Sequence, residues 1–228
     1  MSAFPQRHGR RAGNRLPLQT NDQLVIRQIG AEGLVIPAMV KLFLYAPDDI
    51  AEDVLLQCAR AAAEAGECAS IVVHGQSRNT MKKTVVALQA LGLATLLRDC
   101  DVGLVHESGA DGLHLSDGAK LLEARKQLIN ESLGFSAGVS RHAAMEAAEA
   151  GADYVAFAQT MQVAGEPIIG WWHDVAQIPS VAFDPVEMAM LPELLAQNPD
   201  FIRPSDDMWQ SPEMAAQVIV ALTAGGKA

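Results

Sequence analysis

Two copies of the tripeptide Gly-Ala-Asp, at 109–111 and 151–153, constrain the fold more than any other feature of this sequence. Each copy ends a stretch with helical spacing and opens a short apolar run, Gly112-Leu-His-Leu115 in the first case and Tyr154-Val-Ala-Phe157 in the second. We expect each glycine to let the chain leave its helix through a left-handed conformation. A repeated unit in which a helix stops and a strand starts predicts a wound α/β fold.

The same alternation of short strands and helices runs from about residue 40 to residue 224. It contains eight strand-like and eight helix-like segments, and the strands are apolar with little alternation, as in parallel strands covered by helices. We therefore predict an α/β fold, an eight-stranded parallel (β/α)8 TIM barrel. A doubly wound open sheet stays as the alternative, because periodicity does not indicate closure. Asp48 or Asp49 is expected to cap the first helix of the barrel.

The composition limits the functions open to such a barrel. The chain has 228 residues, half of them hydrophobic, and a net charge of −10, which argues against a nucleic-acid surface. No apolar run approaches the roughly eighteen residues of a membrane span. The three cysteines lack metal-ligand or redox spacing, which fits a reducing compartment. We predict a cytoplasmic protein without nucleic-acid or membrane partners, and the sequence leaves a homo-oligomer open.

Residues 1–38 differ from the rest of the chain in charge. They hold five arginines against two acidic residues, so the remaining 190 residues carry a net charge of −13. The segment lacks the apolar stretch of a secretory signal. We interpret residues 1–38 as a flexible, disordered N-terminal arm and residues 39–228 as the barrel domain.

Several segments, spaced along the predicted strand ends, resemble one known family. They are Asp111-Gly-Leu-His-Leu115, Gly138-Val-Ser140 with His142, Ala152-Asp-Tyr-Val-Ala-Phe157, and Trp171-Trp172 followed by Ile178-Pro-Ser-Val-Ala182. In this register the sequence resembles the thiamin phosphate synthase family, with the related thiazole tautomerases, from about Leu42 to Leu222. The resemblance implies a TIM barrel that joins a hydroxymethylpyrimidine diphosphate to a thiazole phosphate and releases pyrophosphate with Mg²⁺.

Residues at or after the ends of the predicted strands are the candidate site residues, and the resemblance implies the family's own roles for Asp99, Ser140 and His142 among them. The metal candidates are Asp99 and Asp117. The substrate-binding candidates are Arg98, His114, Arg203 and Ser205. The catalytic candidates are Ser140, His142 and His74. The implied cofactor is Mg²⁺ if the protein is active, and there is none otherwise.

Other positions depart from the family's pattern, and these departures remove charge-assisted contacts. After the second strand the family's Gln-x-Arg-x-Lys becomes Val72, His74 and Gln76, and a neutral imidazole does not replace a guanidinium fork. Ala119 stands where the family has a second metal carboxylate. Residues 159–167 contain no lysine or arginine, whereas the family's loop carries a lysine.

These departures leave three functional hypotheses. The main one is a thiamin phosphate synthase-like barrel with an eroded active site, a non-catalytic or altered-activity homologue that binds a small phosphorylated or heterocyclic metabolite. It predicts little or no synthesis of thiamin phosphate. The first alternative is a functional thiamin phosphate synthase in thiamin biosynthesis. The second is a thiazole tautomerase-like isomerase in which His142 shuttles the proton.

Overall fold

A computed structural model of the chain describes residues 40–75, 78–158 and 167–223. The predicted arm, Gln76 and most of the 159–167 loop lie outside the described residues.

Eight parallel strands close into a barrel in chain order, as predicted from the sequence. The strands are Lys41–Tyr45 (β1), Cys68–His74 (β2), Ala94–Arg98 (β3), Gly112–Leu115 (β4), Ser132–Gly138 (β5), Tyr154–Phe157 (β6), Ser180–Ala182 (β7) and Phe201–Ile202 (β8). Strand β8 closes the barrel by pairing with β1, with Phe201 opposite Lys41. The closure excludes the alternative of an open sheet.

The α-helices follow the strands and cover the outside of the barrel. They are Glu52–Ala65 (α1), Arg78–Gln89 (α2), Val102–Ser108 (α3), Leu121–Gln127 (α4), Arg141–Ala150 (α5), Ile168–Val175 (α6), Leu191–Leu195 (α7) and Pro212–Thr223 (α8). Among the described residues, no helix has the length and apolar character needed to cross a membrane. The predicted cap of α1 is wrong, because the helix starts after Ala51 with no side-chain cap.

The glycines of the two Gly-Ala-Asp tripeptides behave as the sequence predicts. Gly109 ends α3 with a φ of 74°, and Gly151 ends α5 with a φ of 93°. Both values lie in the left-handed region, where a side chain is strained and glycine is not. These turns send the chain directly from each helix into the next strand.

An aspartate precedes each of β4, β6 and β8, and its carboxylate fixes the start of the strand that comes before it in the chain. Each carboxylate accepts a backbone N–H hydrogen bond: Asp111 from Thr95 at 2.8 Å, Asp153 from Leu133 at 2.9 Å and Asp200 from Ser180 at 2.8 Å. The contacts join β3 to β4, β5 to β6 and β7 to β8. The repeated aspartate therefore sets the strand register, a role that its position in the sequence does not reveal.

Side chains from the strands fill most of the barrel interior, in the manner of closed parallel barrels. Gly134 in β5 makes room for Tyr154, because a Cβ at position 134 would lie 1.9 Å from the Tyr154 Cζ atom. Small residues at the N-terminal ends of the strands leave a cavity of about 370 Å³ beneath the Tyr154 ring, lined in part by Ser70 and Ser132. The opposite end, where the strands finish, carries the polar residues described next.

Candidate active site

Tyr45, the last residue of β1, contacts two guanidinium groups at the carboxyl end of the barrel. The Cζ atom of Arg98, at the end of β3, is 4.4 Å from the centroid of the Tyr45 ring. The Cζ atom of Arg203, which follows β8, is 4.7 Å from the same centroid. Cation–π contacts hold both side chains in place. The structure thus brings together two predicted substrate-binding arginines around an aromatic residue that the sequence analysis missed.

The Arg98 side chain is only 9% exposed and is held by the segment that follows β1. Its Nη2 donates hydrogen bonds to the Ala46 carbonyl oxygen at 3.1 Å and to the Asp48 carboxylate. Its Nε is buried and has no hydrogen-bond partner among the described residues. The same Asp48 oxygen is 3.7 Å from Nδ1 of His74, a predicted catalytic residue, so the carboxylate contacts both. A fixed guanidinium with an unused donor is suited to an anionic ligand.

Arg203 is held in a similar way by residues near the end of β8. Its Nη2 donates to both carboxylate oxygens of Asp206, at 2.7 and 2.9 Å, and its Nη1 donates to the Phe183 carbonyl oxygen at 3.3 Å. Its Nε is also buried without a partner in the described part of the chain. Ser205, another predicted ligand residue, accepts a hydrogen bond from the Asp207 N–H at 3.3 Å and caps the short helix there.

His114, a predicted substrate-binding residue, is buried below the two arginines. Its Nδ1 is 2.8 Å from the Tyr154 hydroxyl and its Nε2 is 2.8 Å from the half-buried Ser136 hydroxyl. The imidazole stacks on the Phe183 ring, with 5.6 Å between centroids and 18° between planes. Burial lowers the pKa of His114 to about 4, so the ring is neutral near pH 7. The residue forms a neutral polar floor for the mouth of the barrel.

Asp99, a predicted metal ligand, has a strained backbone at the end of β3. Its φ of 45° lies in the left-handed region, which is uncommon for residues other than glycine. Its N–H donates to the His114 carbonyl oxygen at 2.9 Å, and its carboxylate accepts bonds from the Ser116 N–H and hydroxyl at 2.8 and 2.9 Å. Strain of this kind often occurs at functional sites. The exposed carboxylate keeps lone pairs for a further ligand.

Asp117, the second predicted metal ligand, faces its own loop. Its carboxylate accepts a bond from the Ala119 N–H at 3.0 Å and lies 3.9 Å from the Lys120 ammonium. Residues 40–75, 78–158 and 167–223 contain no cluster of three or more His, Cys, Asp or Glu side chains that could hold a metal. Mg²⁺ usually takes one or two carboxylates together with substrate phosphate oxygens. Asp99 fits that role as a single carboxylate shared with a bound diphosphate.

The two remaining catalytic candidates lie at the start of α5. The Ser140 hydroxyl oxygen accepts a bond from the Ala143 N–H at 3.1 Å and caps the helix, which leaves its own proton free to donate. The His142 side chain is 83% exposed, and its Nε2 is 3.4 Å from the Glu146 carboxylate on the same helix. Ser140 can therefore serve a ligand above β5, whereas the described contacts of His142 are with its own helix.

Residues that the sequence analysis did not single out complete the site. Tyr45 and Phe183 form its aromatic walls, with ring centroids 4.8 Å apart. Strand periodicity could have found both, because they lie two residues after the inward-facing Phe43 and Val181. No local signal points to Asp48, since an aspartate shortly before a helix ordinarily predicts a cap.

Comparisons with known proteins identify the relatives of this chain. Residues 42–203 match the family model described as TMP-TENI, thiamine monophosphate synthase. The chain is 33% identical over 160 residues to the thiamine-phosphate synthase of Erythrobacter litoralis, covering 63% of this chain and 75% of that protein. It is 27% identical over 195 residues to the thiamine-phosphate synthase of Rhodospirillum centenum, covering 78% of this chain and 94% of that protein.

A solved structure shares the fold. The thiamine phosphate pyrophosphorylase from Pyrococcus furiosus aligns with a TM-score of 0.63 and 20% identity, covering 80% of this chain and 96% of that one. The family match spans most of the barrel, from β1 to the residue that follows β8. The chain belongs to the thiamine monophosphate synthase family.

Proposed function

We propose that this chain is a thiamin phosphate synthase, which couples hydroxymethylpyrimidine diphosphate to thiazole phosphate. The observation that carries the proposal is the pair of guanidinium groups, from Arg98 and Arg203, that both contact the Tyr45 ring. Two phosphorylated substrates need two cationic positions in one site, and the mouth of this barrel supplies them. The names of the curated relatives support the same reaction.

The coupling breaks the bond between the pyrimidine methylene carbon and a diphosphate oxygen, and the thiazole nitrogen takes that carbon. Negative charge grows on the departing pyrophosphate, so a fixed cation beside it lowers the barrier. Arg98 is already positioned by Tyr45 and the Ala46 carbonyl, which spares reorganisation as the charge develops. Mg²⁺ held by Asp99 and the diphosphate oxygens would neutralise further charge on the leaving group.

We assign the thiazole phosphate to Arg203, because this residue follows β8, which lies on the opposite side of β1 in the barrel order from β3 with Arg98 and Asp99. The Tyr45 and Phe183 rings meet edge to face at 84° and offer apolar walls to the two heterocycles. The free hydroxyl proton of Ser140 can donate to a phosphate oxygen. These residues orient the two substrates so that the thiazole nitrogen can approach the methylene carbon.

A second candidate is the barrel with an eroded active site predicted above, which binds a small phosphorylated or heterocyclic metabolite without turnover. It is favoured by the contacts of the two arginines, because each guanidinium already contacts a carboxylate, Asp48 or Asp206. Val72 and His74 in β2 stand where the family has glutamine and arginine, and this replacement favours it further. The isomerase hypothesis depends on His142 and stays an untested prediction.

The coupling assay separates these candidates. Purified full chain is incubated with both substrates and Mg²⁺, and thiamin phosphate and pyrophosphate are quantified by chromatography. We expect equal amounts of the two products, formed only when both substrates are present and lost when Mg²⁺ is chelated. Calorimetric binding of either substrate with no product would support the binding protein instead.

A further inference from the structure

We propose that Arg98 is the residue through which this chain binds a diphosphate group, and that the Asp48 carboxylate gives way to that group on binding. The inference rests on the proposed function only in taking a diphosphate as the relevant ligand. It assigns to Asp48 a role as an internal competitor, which holds the guanidinium when no anion is bound.

The position of Arg98 favours the diphosphate over the monophosphate. Arg98 precedes Asp99 in the chain, so the guanidinium and the exposed carboxylate arise from adjacent positions at the end of β3. A diphosphate is the substrate group that binds a cationic side chain and a carboxylate-held Mg²⁺ together. Arg203 follows β8, which pairs with β1 on the side away from β2 and β3.

The contact between Arg98 and Asp48 is asymmetric in burial. The Arg98 side chain is 9% exposed, whereas the Asp48 side chain is 71% exposed. The exposed carboxylate is hydrated when it rotates into water, and the bound diphosphate replaces its negative charge beside the buried guanidinium. A diphosphate carries more charge than one carboxylate and presents several acceptor oxygens to a guanidinium.

Arg98 would keep its position when Asp48 leaves. The Ala46 carbonyl still accepts from Nη2, and the Tyr45 ring still lies 4.4 Å from Cζ. When the Asp48 carboxylate moves away, Nη2 can donate a hydrogen bond to the diphosphate in its place. The buried Nε has no partner among the described residues, so diphosphate binding breaks no hydrogen bond at that atom. The Arg98 guanidinium is therefore held in position to bind an anion even without its ion pair to Asp48.

His74 provides a way to move the cation by one strand. It pairs with Arg98 in the register of β2 and β3 and contacts the same Asp48 oxygen. Neighbouring strands are about 4.8 Å apart, so an arginine at position 74 reaches the same region of the mouth. The double variant H74R/R98Q therefore keeps one guanidinium near Asp48 while removing it from β3.

The test is calorimetric titration of the full chain with inorganic pyrophosphate in the presence of Mg²⁺. We expect Arg98→Gln to weaken binding about tenfold or more, and His74→Arg in that background to recover part of the affinity. Asp48→Asn should tighten binding about threefold or more, because the competing charge is lost. Asp49→Asn, an exposed neighbour, is the matched control and should leave the affinity at the parent value.

The inference is overturned if Arg98→Gln binds pyrophosphate with an affinity within twofold of the parent. It is also overturned if Asp48→Asn binds pyrophosphate as tightly as the parent or more weakly. Because Arg98 is buried and its variant can fail to fold, Asp48→Asn at an exposed position decides the case alone. The readout does not need turnover. If the pyrophosphate titrations give the expected affinities but the protein forms no thiamin phosphate, this inference stands and the proposed function is refuted.

Discussion

Replacing Asp153 by alanine removes the carboxylate that ties the start of β5 to β6. Its Oδ2 atom accepts hydrogen bonds from the Leu133 N–H at 2.9 Å and from Arg125 Nη1 at 2.9 Å. Leu133 is fully buried, so no water replaces the lost acceptor at its N–H. We expect Asp153→Ala to destabilise the barrel through that unpaired donor.

The size of the effect follows from the two lost contacts. An unpaired buried N–H costs about 1–3 kcal/mol. Arg125 keeps its bonds to the Leu128 and Glu131 carbonyl oxygens, and its ion pair is about one quarter exposed, so that pair contributes only about 0.5 kcal/mol. The total is about 1.5–3.5 kcal/mol, which in a domain of this size lowers the Tm by roughly 3–14 °C.

Thermal unfolding followed by circular dichroism measures this loss. Asp153→Asn keeps an oxygen acceptor for Leu133 and should lose about half as much stability as Asp153→Ala. The matched control is Asp174→Ala, an exposed position on α6, which should change the free energy of unfolding by no more than about 0.5 kcal/mol. If the Tm of Asp153→Ala equals that of the control, the reasoning about strand starts is refuted.

Three further predictions test the interior and the mouth. Gly134→Ala places a Cβ 1.9 Å from the Tyr154 ring, so urea titration should show that the free energy of unfolding falls by about 1–3 kcal/mol. In the control Gly118→Ala the nearest contact of the new Cβ is 3.5 Å away, and the free energy of unfolding should match that of the parent. The pKa of His114 is about 4 when folded and 6.5 when unfolded, so the unfolded chain binds more protons between these values. Stability should therefore fall by about 3 kcal/mol as the pH drops from 6.5 to 4, and an equal slope in His114→Gln would contradict this. Arg203→Gln should raise the KM for thiazole phosphate about tenfold, and an equal rise for the pyrimidine diphosphate would refute the assignment of Arg203.

The fold could be predicted because its signals are local. Gly109 and Gly151 predict a helix end because glycine readily adopts the left-handed conformation, and the structure confirms both left-handed turns. The function of Asp111 and Asp153 could not be predicted in the same way. Each carboxylate binds an N–H of the preceding strand, 16 or 20 residues earlier in the chain, and no local pattern encodes that partner.

The site could be predicted only in outline. Arg98 and Arg203 were identified because they follow strands, and the structure places both on the Tyr45 ring. Strand periodicity places Tyr45 on the inward face, two residues after Phe43, but does not show that both arginines contact its ring. Asp48 or Asp49 was expected to cap the first helix, but α1 begins later, at Glu52, and the Asp48 carboxylate contacts Arg98 instead.

A single-turnover experiment tests the central claim most directly. The full chain, in excess over labelled hydroxymethylpyrimidine diphosphate, is mixed with thiazole phosphate and Mg²⁺ and quenched at increasing times. Excess protein removes product release from the measurement, so only binding and coupling are observed. Our account predicts that the label passes completely into thiamin phosphate with one equivalent of pyrophosphate. Label that stays bound as unchanged pyrimidine diphosphate would contradict it.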